Sequence, residues 1–442
     1  MTSSATLHSN TNGSRSTQWT LPQRLLFRFV FAYLLLYAAP ATNRADLLSV
    51  IPGGAWVARP YISLWHWFVP WVAKTVFHLS GRVIVYVRTG SGDTTLDYVG
   101  ECCFLVLALA ATAFWSILDR RRGDYQRLHA WLRLLIRYTL SFALFTYAFV
   151  KIFPLQFRAT PLDRFIEPYG NFSPMGVLWS FMGASTPYTI FGGVCEAIAA
   201  TFLLFRRTTT LGGLIALGVL LNIVVLNFCY DVPVKLYSTN LLLMAAFLVA
   251  PDIGRLVHVL VLDSPAHPSN VPTIRFERRA VRIGVAVFQL VFIGIFLFGQ
   301  VRGAWAAYDR AYIHPDRPPI YGLYRVETFL RSGQEVMPVA TDQTRWEWLI
   351  AQYPRGLAIQ HLDGPPPQLF PAEFDAGNHQ IVVTVRGVQY TLRYSYPDPN
   401  HLLLEGSAGK DAVSIRFRKT DPSTFRLASR GFHWINEFPF NR

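Results

Sequence analysis

The chain has 442 residues, with 41 Lys and Arg against 27 Asp and Glu for a net charge of +14, yet only 15% of its residues are charged while 52% are hydrophobic. A soluble globular chain carries about 25% charged residues, so long uncharged stretches are required and an ordinary soluble globule is excluded. The 12 Trp, 20 Tyr and 33 Phe exclude disorder over most of the length. Cys102, Cys103, Cys195 and Cys229 lie in or beside apolar segments without zinc or redox spacing, which excludes a disulfide scaffold and offers no metal site.

A bilayer core of about 30 Å takes roughly 20 apolar residues in a helix. Residues 1–20 read as a disordered cytoplasmic N-terminus. Seven transmembrane helices are then expected, at Leu25–Ala41, Tyr98–Leu118, Leu134–Phe153, Tyr188–Phe205, Leu211–Phe228, Leu236–Ala250 and Ile283–Val301. Arg24 and Arg28 open the first, where long cationic side chains can snorkel to headgroups. Pro40 within Ala38-Ala39-Pro40-Ala41 argues for an uncleaved anchor over a signal peptide. Between the first two segments, Leu64–Leu79 mixes Trp65, His66, Trp67, Trp71, Lys74 and His78 with apolar residues, the pattern of an interfacial helix at 64–79. Pro174–Met182 is too short to span.

Basic residues mark alternate connections. Arg120, Arg121, Arg122, Arg127 and Arg133 follow the second segment, Arg206-Arg207 the fourth, and Arg255, Arg275, Arg278, Arg279 and Arg282 precede the last, whereas Asn227–Lys235 carries only Lys235. Positive loops stay cytoplasmic, so a cytoplasmic N-terminus and an exported C-terminus are expected. The charge of +14 is then topology and lipid contact, and nucleic acid is not a required partner.

From Arg302 to Arg442 short alternating runs are broken by Gly, Pro, Asn and Asp, as in antiparallel strands and their turns. Strands are expected at Tyr321–Phe329, Gln380–Val385, Gln389–Tyr396, His401–Glu405, Ala412–Lys419 and Thr424–Ala428, with Arg386-Gly387 at one bend. Ile415 and Phe417 alternate with Arg416 and Arg418, one face apolar and one basic. Such a region forms a small barrel or sandwich. The aromatic run from Gly431 to Arg442 is expected to pack back onto the barrel or the membrane domain.

An ionisable group inside hydrocarbon is a functional candidate by default. Glu196 lies ten residues before Arg206, about 15 Å from the cytoplasmic end, and Lys151 ends the third segment. With Asn222, Asn227 and Asp231 they could hold a quinone's carbonyl oxygens, relay a proton, or lock helices together. Pro233 disfavours a regular helical pair between Asp231 and Lys235. Gly90-Ser91-Gly92-Asp93-Thr94-Thr95 lacks the Gly-Lys-Ser/Thr ending of a phosphate loop and reads as a helix cap. No haem, flavin or iron–sulfur ligation pattern occurs.

Arg137–Arg255 resembles the DoxX-like family of four-helix membrane proteins, through Lys151, Gly192-Gly193-Val194-Cys195-Glu196, Arg206-Arg207-Thr208 and Asn227-Phe228-Cys229-Tyr230-Asp231. The resemblance implies a DoxX-like helical bundle at 131–255. N-terminal membrane helices at 21–130 precede it, and a cytoplasmic loop with the last transmembrane helix at 256–301 and an exported β-rich domain at 302–442 follow. It implies a redox-linked component, with Glu196 and Lys151 as catalytic residues and Asn222, Asn227 and Asp231 binding quinone or a small lipophilic substrate in the outer half of the membrane. A redox partner subunit and a bacterial plasma membrane go with that reading. A fainter likeness, to vitamin-K-dependent membrane carboxylases, rests on Lys151 and the domain order and transfers no activity. The alternative function is non-enzymatic: an assembly or partner-binding protein acting through its exported β domain.

Overall fold

The computed structural model describes residues 19–39, 53–87, 89–266, 268–269, 271, 274, 277–339, 342, 344–362 and 366–441. The expected disordered stretch 1–20 lies outside them except for Trp19 and Thr20, and so do Pro40, Ala41 and Arg275.

The chain divides into two compact units. The first is Met1–Thr146, Ile198–Asn227 and Pro233–Leu297, and the second is Tyr147–Ala197, Phe228–Val232 and Phe298–Arg442. The helices, in chain order, are α1 (Leu21–Tyr37), α2 (Gly54–Thr75), α3 (Thr95–Leu118), α4 (Gln126–Ile152), α5 (Pro174–Ala184), α6 (Thr186–Leu204), α7 (Thr209–Cys229), α8 (Lys235–Val249), α9 (Ile253–Leu260), α10 (Arg279–Tyr308) and the single turn α11 (Arg426–Ser429).

Six helical stretches among the described residues are long and apolar enough to cross a membrane: Thr95–Leu118, Gln126–Ile152, Thr186–Leu204, Arg206–Cys229, Lys235–Leu260 and Arg279–Ile313. They match six of the seven expected segments, and the first falls away. Helix α1 has 17 residues, about 25 Å at 1.5 Å per residue, and Arg28 does not snorkel. Its side chain is buried, with Nε and a terminal nitrogen donating to the Tyr125 hydroxyl at 3.0 and 2.6 Å, the other terminal nitrogen donating to Ser116 Oγ at 2.7 Å, and a further bond to the Asp119 carbonyl at 2.8 Å. A guanidinium this well satisfied is a packing element. It fastens α1 to the end of α3.

The expected helix at 64–79 runs instead from Gly54 to Thr75, carrying Pro60 and Pro70 inside it. Ala58, Trp65, Val69 and Ala73 form its buried stripe, and Trp65 packs edge-on against Phe104 of α3 at 4.7 Å, while Trp56, Trp67 and Trp71 stay exposed. That amphipathic division suits a helix with one wet or lipid-facing side.

The segment before α3 does cap helices, and it caps two. Thr94 forms a capping box with Asp97 at the start of α3. Asp93 instead accepts bonds from the backbone N–H groups of Lys235 and Leu236, at 2.7 and 3.0 Å, satisfying the first turn of α8. The Lys235 ammonium lies 3.9 Å from the same carboxylate, so Lys235 pairs with Asp93. Helix α4 supplies the centre of this unit, with Ile136, Leu140, Phe142, Ala143 and Leu144 fully buried and Phe142 stacked on Phe296 at 3.9 Å. Most of α10 is exposed apolar surface, including Phe288, Leu290, Val291 and Phe298, as lipid contact requires.

In the second unit, the described residues form nine antiparallel strands, eight of which close a barrel: β1 (Gly322–Arg331), β2 (Gln334–Glu335), β3 (Trp346–Tyr353), β4 (Gly356–His361), β5 (Gln368–Asp375), β6 (Gln380–Val385), β7 (Val388–Asp398), β8 (His401–Ala408) and β9 (Asp411–Thr420). Strands β1 and β3 to β9 follow one another around the wall, β1 pairs with β9 to close it, and β2 is a two-residue hairpin on β1. Closure removes the exposed edges that an open sheet would leave. Arg386 and Gly387, both with positive φ, make the expected tight turn between β6 and β7. Trp346, Tyr324, Phe329, Leu357, Ile381, Leu392, Leu404, Ile415 and Phe417 fill the interior. The expected alternation at 415–418 holds, Ile415 and Phe417 being buried and Arg416 and Arg418 exposed.

The expected strand at 424–428 is instead a tight turn followed by α11, since the chain has left the sheet at Thr420. Strands β3, β4 and β5 were not among those expected. Strand β4 is buried at all six positions, so it has no polar face to give alternation. Its outward side is covered by the connection between α4 and α5: Leu162 packs with Leu323, Ile350 and Ala358. The Leu162 N–H donates to Gln352 Oε1 at 2.8 Å, the Tyr353 hydroxyl donates to Asp163 at 3.1 Å, and Phe165 lies 5.2 Å from Phe425. Burial, and then the adjacent Asp163 carboxylate, push the Tyr353 hydroxyl above its ordinary range. Its neutral, donating form therefore persists at all pH values below the ordinary tyrosine pKa of about 10.

Candidate functional site

Lys151 and Glu196, expected to be neighbours, form a closed ion pair in the second unit. The Lys151 ammonium donates to both carboxylate oxygens of Glu196, at 2.7 and 2.8 Å. The Glu196 side chain is 2% exposed and that of Lys151 9%. The Tyr147 ring centre lies 5.4 Å from the ammonium, one turn earlier on α4, so the cation has an aromatic face as well as an anion.

The local sequence explains why the two helices come so close. A Cβ built on Gly193 of α6 would stand 2.8 Å from the Ala148 carbonyl oxygen and 2.9 Å from Lys151 Cβ, and one on Gly192 would be 3.9 Å from Lys151 Cδ. The Lys151 stem therefore lies along the Gly192-Gly193 surface, and Glu196 is one turn further along α6. Small residues at a helix contact allow such backbone approach inside a membrane. Burying either charge alone would be costly, whereas the paired arrangement balances desolvation with two charge-assisted hydrogen bonds. One ammonium hydrogen remains beyond the two that Glu196 takes.

The other expected site residues are placed differently. Asn227 is buried in the first unit and donates to Ser238 Oγ at 3.0 Å. Asn222 is exposed on α7. Asp231 is an exposed turn residue with φ of 51°. The structure thus brings together the catalytic pair of the sequence reading, while Asn227 serves a contact between α7 and α8. Among the described residues no group of three or more His, Cys, Asp and Glu side chains is arranged to hold a metal ion.

A second polar cluster, in the first unit, escaped the sequence reading. The Tyr33 hydroxyl of α1 lies within hydrogen-bond reach of Glu101 Oε1 on α3 and of Asn240 Oδ1 on α8, and the Asn240 amide nitrogen is 3.4 Å from the same Glu101 oxygen and 3.0 Å from the Leu236 carbonyl. Three helices meet there through polar groups. Glu101 sits seven residues after the cap Thr94, about two turns into α3. The usable signal was Asn240, a lone amide in the apolar run of α8.

No family model matches the chain, and no solved structure matches it. The chain is similar to a protein of Bacillus subtilis (strain 168) described as "Uncharacterized protein YwoB", with 35% identity over 117 residues, 26% of this chain and 73% of that one. The chain belongs to the same family as YwoB. That description gives the YwoB family no stated activity, and the match spans about a quarter of this chain, so the chemistry must be argued from the side chains themselves.

The close approach at Gly193 gives a direct test of the site's construction. Gly193→Ala should lower the thermal unfolding temperature of the purified protein, with a loss of about 1–3 kcal/mol for an overpacked contact whose nearest neighbour is backbone. Gly218→Ala on α7, where a new Cβ meets nothing within 4 Å, should be neutral or slightly stabilising. Equal behaviour of the two variants would contradict the packing described.

Proposed function

We propose that this is a multi-pass protein of a bacterial plasma membrane whose working part is the C-terminal barrel, exported to the periplasmic or extracellular side for partner binding. The Lys151–Glu196 pair then fixes the helix ends that carry it. The supporting observation is the closure of the pair. One ammonium occupies both carboxylate oxygens, and Gly193 leaves no space between the helices. The connection that leaves Lys151 runs directly into the 162–165 turn held on the barrel wall by Leu162, Asp163 and Phe165. The barrel interior is filled by large side chains, so a partner would be met on its outer wall or its loops.

The loops after α3 support this side for the barrel. Arg120, Arg121 and Arg122 follow α3, Arg206 and Arg207 follow α6, and Arg278, Arg279 and Arg282 border the start of α10. These three connections alternate with less basic ones, the pattern expected if the residues beyond α10 are outside. Losing α1 as a crossing leaves this argument unchanged. A bacterial relative agrees with a bacterial membrane.

The orientation is tested with single cysteines introduced at the exposed positions Ser407 on β8 and Arg121 after α3, in a chain whose four cysteines are replaced by serine. In intact cells, or spheroplasts where an outer membrane intervenes, a membrane-impermeant thiol reagent should label Ser407→Cys. It should reach Arg121→Cys only after permeabilisation. Labelling of the two in the reverse order would overturn the proposed sidedness.

A second reading has a specific observation in its favour. The remaining ammonium hydrogen of Lys151, next to the Tyr147 ring, could donate to a carbonyl oxygen of a quinone or another small lipophilic substrate. With the DoxX-like resemblance of 137–255, that would make the protein a quinone-linked oxidoreductase component working with a redox partner subunit. Titration with a ubiquinone or menaquinone analogue, followed by tryptophan quenching, separates the readings. The first predicts equal, non-saturable partitioning in wild type and Glu196→Gln. Saturable binding weakened tenfold by the substitution, about 1.4 kcal/mol, would establish the second.

A further inference from the structure

The last residues of the chain were expected to pack back, and they do not. After α11 and Gly431, which has φ of 63°, no regular element follows. Phe432, Trp434, Ile435 and Phe438 are 77–90% exposed and Phe440 is 52% exposed. A dozen residues thus hold five large apolar side chains in contact with solvent, whereas an exposed apolar concentration of that kind ordinarily marks an interaction surface.

The segment is nevertheless shaped. The Arg430 guanidinium lies 4.7 Å above the Phe440 ring and donates to Asn436 Oδ1, the Asn436 amide donates to the His433 carbonyl at 3.2 Å, and Phe432 and Trp434 meet edge to face at 5.1 Å. Arg430 therefore ties both ends of a short hook, and the aromatic side chains stand outward from it. The root of the hook is also fixed. Phe425 packs against Phe165 with ring centres 5.2 Å apart, and Phe165 belongs to the connection that begins at Phe153, directly after the membrane-crossing helix α4.

We propose that residues 431–441 are a membrane-surface anchor, whose Trp434, Phe432, Ile435, Phe438 and Phe440 side chains insert into the headgroup and upper acyl region of the bilayer on the barrel's side. Three features select a lipid surface over a protein groove. The segment combines Trp and Phe with His and Asn, follows Arg430 and has one acidic residue, Glu437, the composition of interfacial anchors. It is far too short to cross a bilayer. Its root is held by Phe165, in the connection that follows the membrane-crossing helix α4 of the same chain, so the bilayer is an apolar surface the chain itself brings near, and insertion costs no association entropy. Protein partners would have to be recruited.

The test uses full-length protein in phospholipid nanodiscs, comparing wild type with Trp434→Phe so that the difference spectrum reports Trp434 alone among twelve tryptophans. Nanodiscs made from phosphatidylcholine and phosphatidylglycerol, with or without bromine on the upper acyl chain, supply the quencher. Trp434 emission should be shifted to the blue and reduced at least twofold by brominated lipid, with little quenching by aqueous acrylamide. Strong acrylamide quenching without bromine quenching would overturn the proposal and leave the hook in water. Resistance to both quenchers would also overturn it, because the hook would then be covered by the protein's own surface. Because Trp434 is 90% exposed, its replacement leaves the fold intact, and unchanged circular dichroism of the variant checks this.

Discussion

Charge inside a membrane is tolerated only beside its counter-charge, and the contact between α4 and α6 depends on that constraint. Lys151 and Glu196 are each too costly to bury alone. Together, they place the end of α4, the glycine surface of α6 and the connection to the barrel in fixed positions. Gly193 makes the approach possible and the ion pair makes it specific. The connection continues from Lys151 into the turn at Leu162–Phe165, where apolar contacts and the bonds to Gln352 and from Tyr353 hold the barrel wall. A single polar contact between helices is thereby linked to the largest extramembrane body of the chain.

The same rule governs the rest of the membrane-crossing region. Arg28 satisfies its guanidinium on Tyr125, Ser116 and Asp119, Asp93 caps a helix more than a hundred residues away, and Tyr33, Glu101 and Asn240 satisfy one another across three helices. In each case a polar side chain finds a partner on another element. Lipid offers no hydrogen bonds, so such partners define which helices meet. Many Leu, Val and Phe side chains of α3, α7 and α10 are exposed and carry little positional information.

What could be read from the sequence follows the same physics. Six crossings were legible because an apolar run of about 20 residues has one cheap solution in water and lipid. Helix α1 read as a seventh because hydropathy counts Arg28 as an interruption near a membrane edge and cannot show that it is buried. Strands β6 to β9 were legible through alternation, whereas β3 and β4, covered on both faces, look like any short apolar run. Lys151 and Glu196 stood out as charges in apolar company. Asn222, Asn227 and Asp231 were grouped with them on residue type and depth alone, and side-chain direction, which a one-dimensional reading lacks, sends Asn227 to Ser238.

The most direct measurement is a double-mutant cycle on the pair, following thermal or denaturant unfolding of wild type, Lys151→Met, Glu196→Gln and the double variant in the same detergent. If the pair is the clamp described, each single change strands a buried polar partner and costs about 3–5 kcal/mol. The double variant should then be more stable than either single one, with a coupling energy well above 1 kcal/mol. Near-wild-type stability of both single variants, with additive effects in the double, would contradict the clamp and free Lys151 and Glu196 for a ligand-binding role.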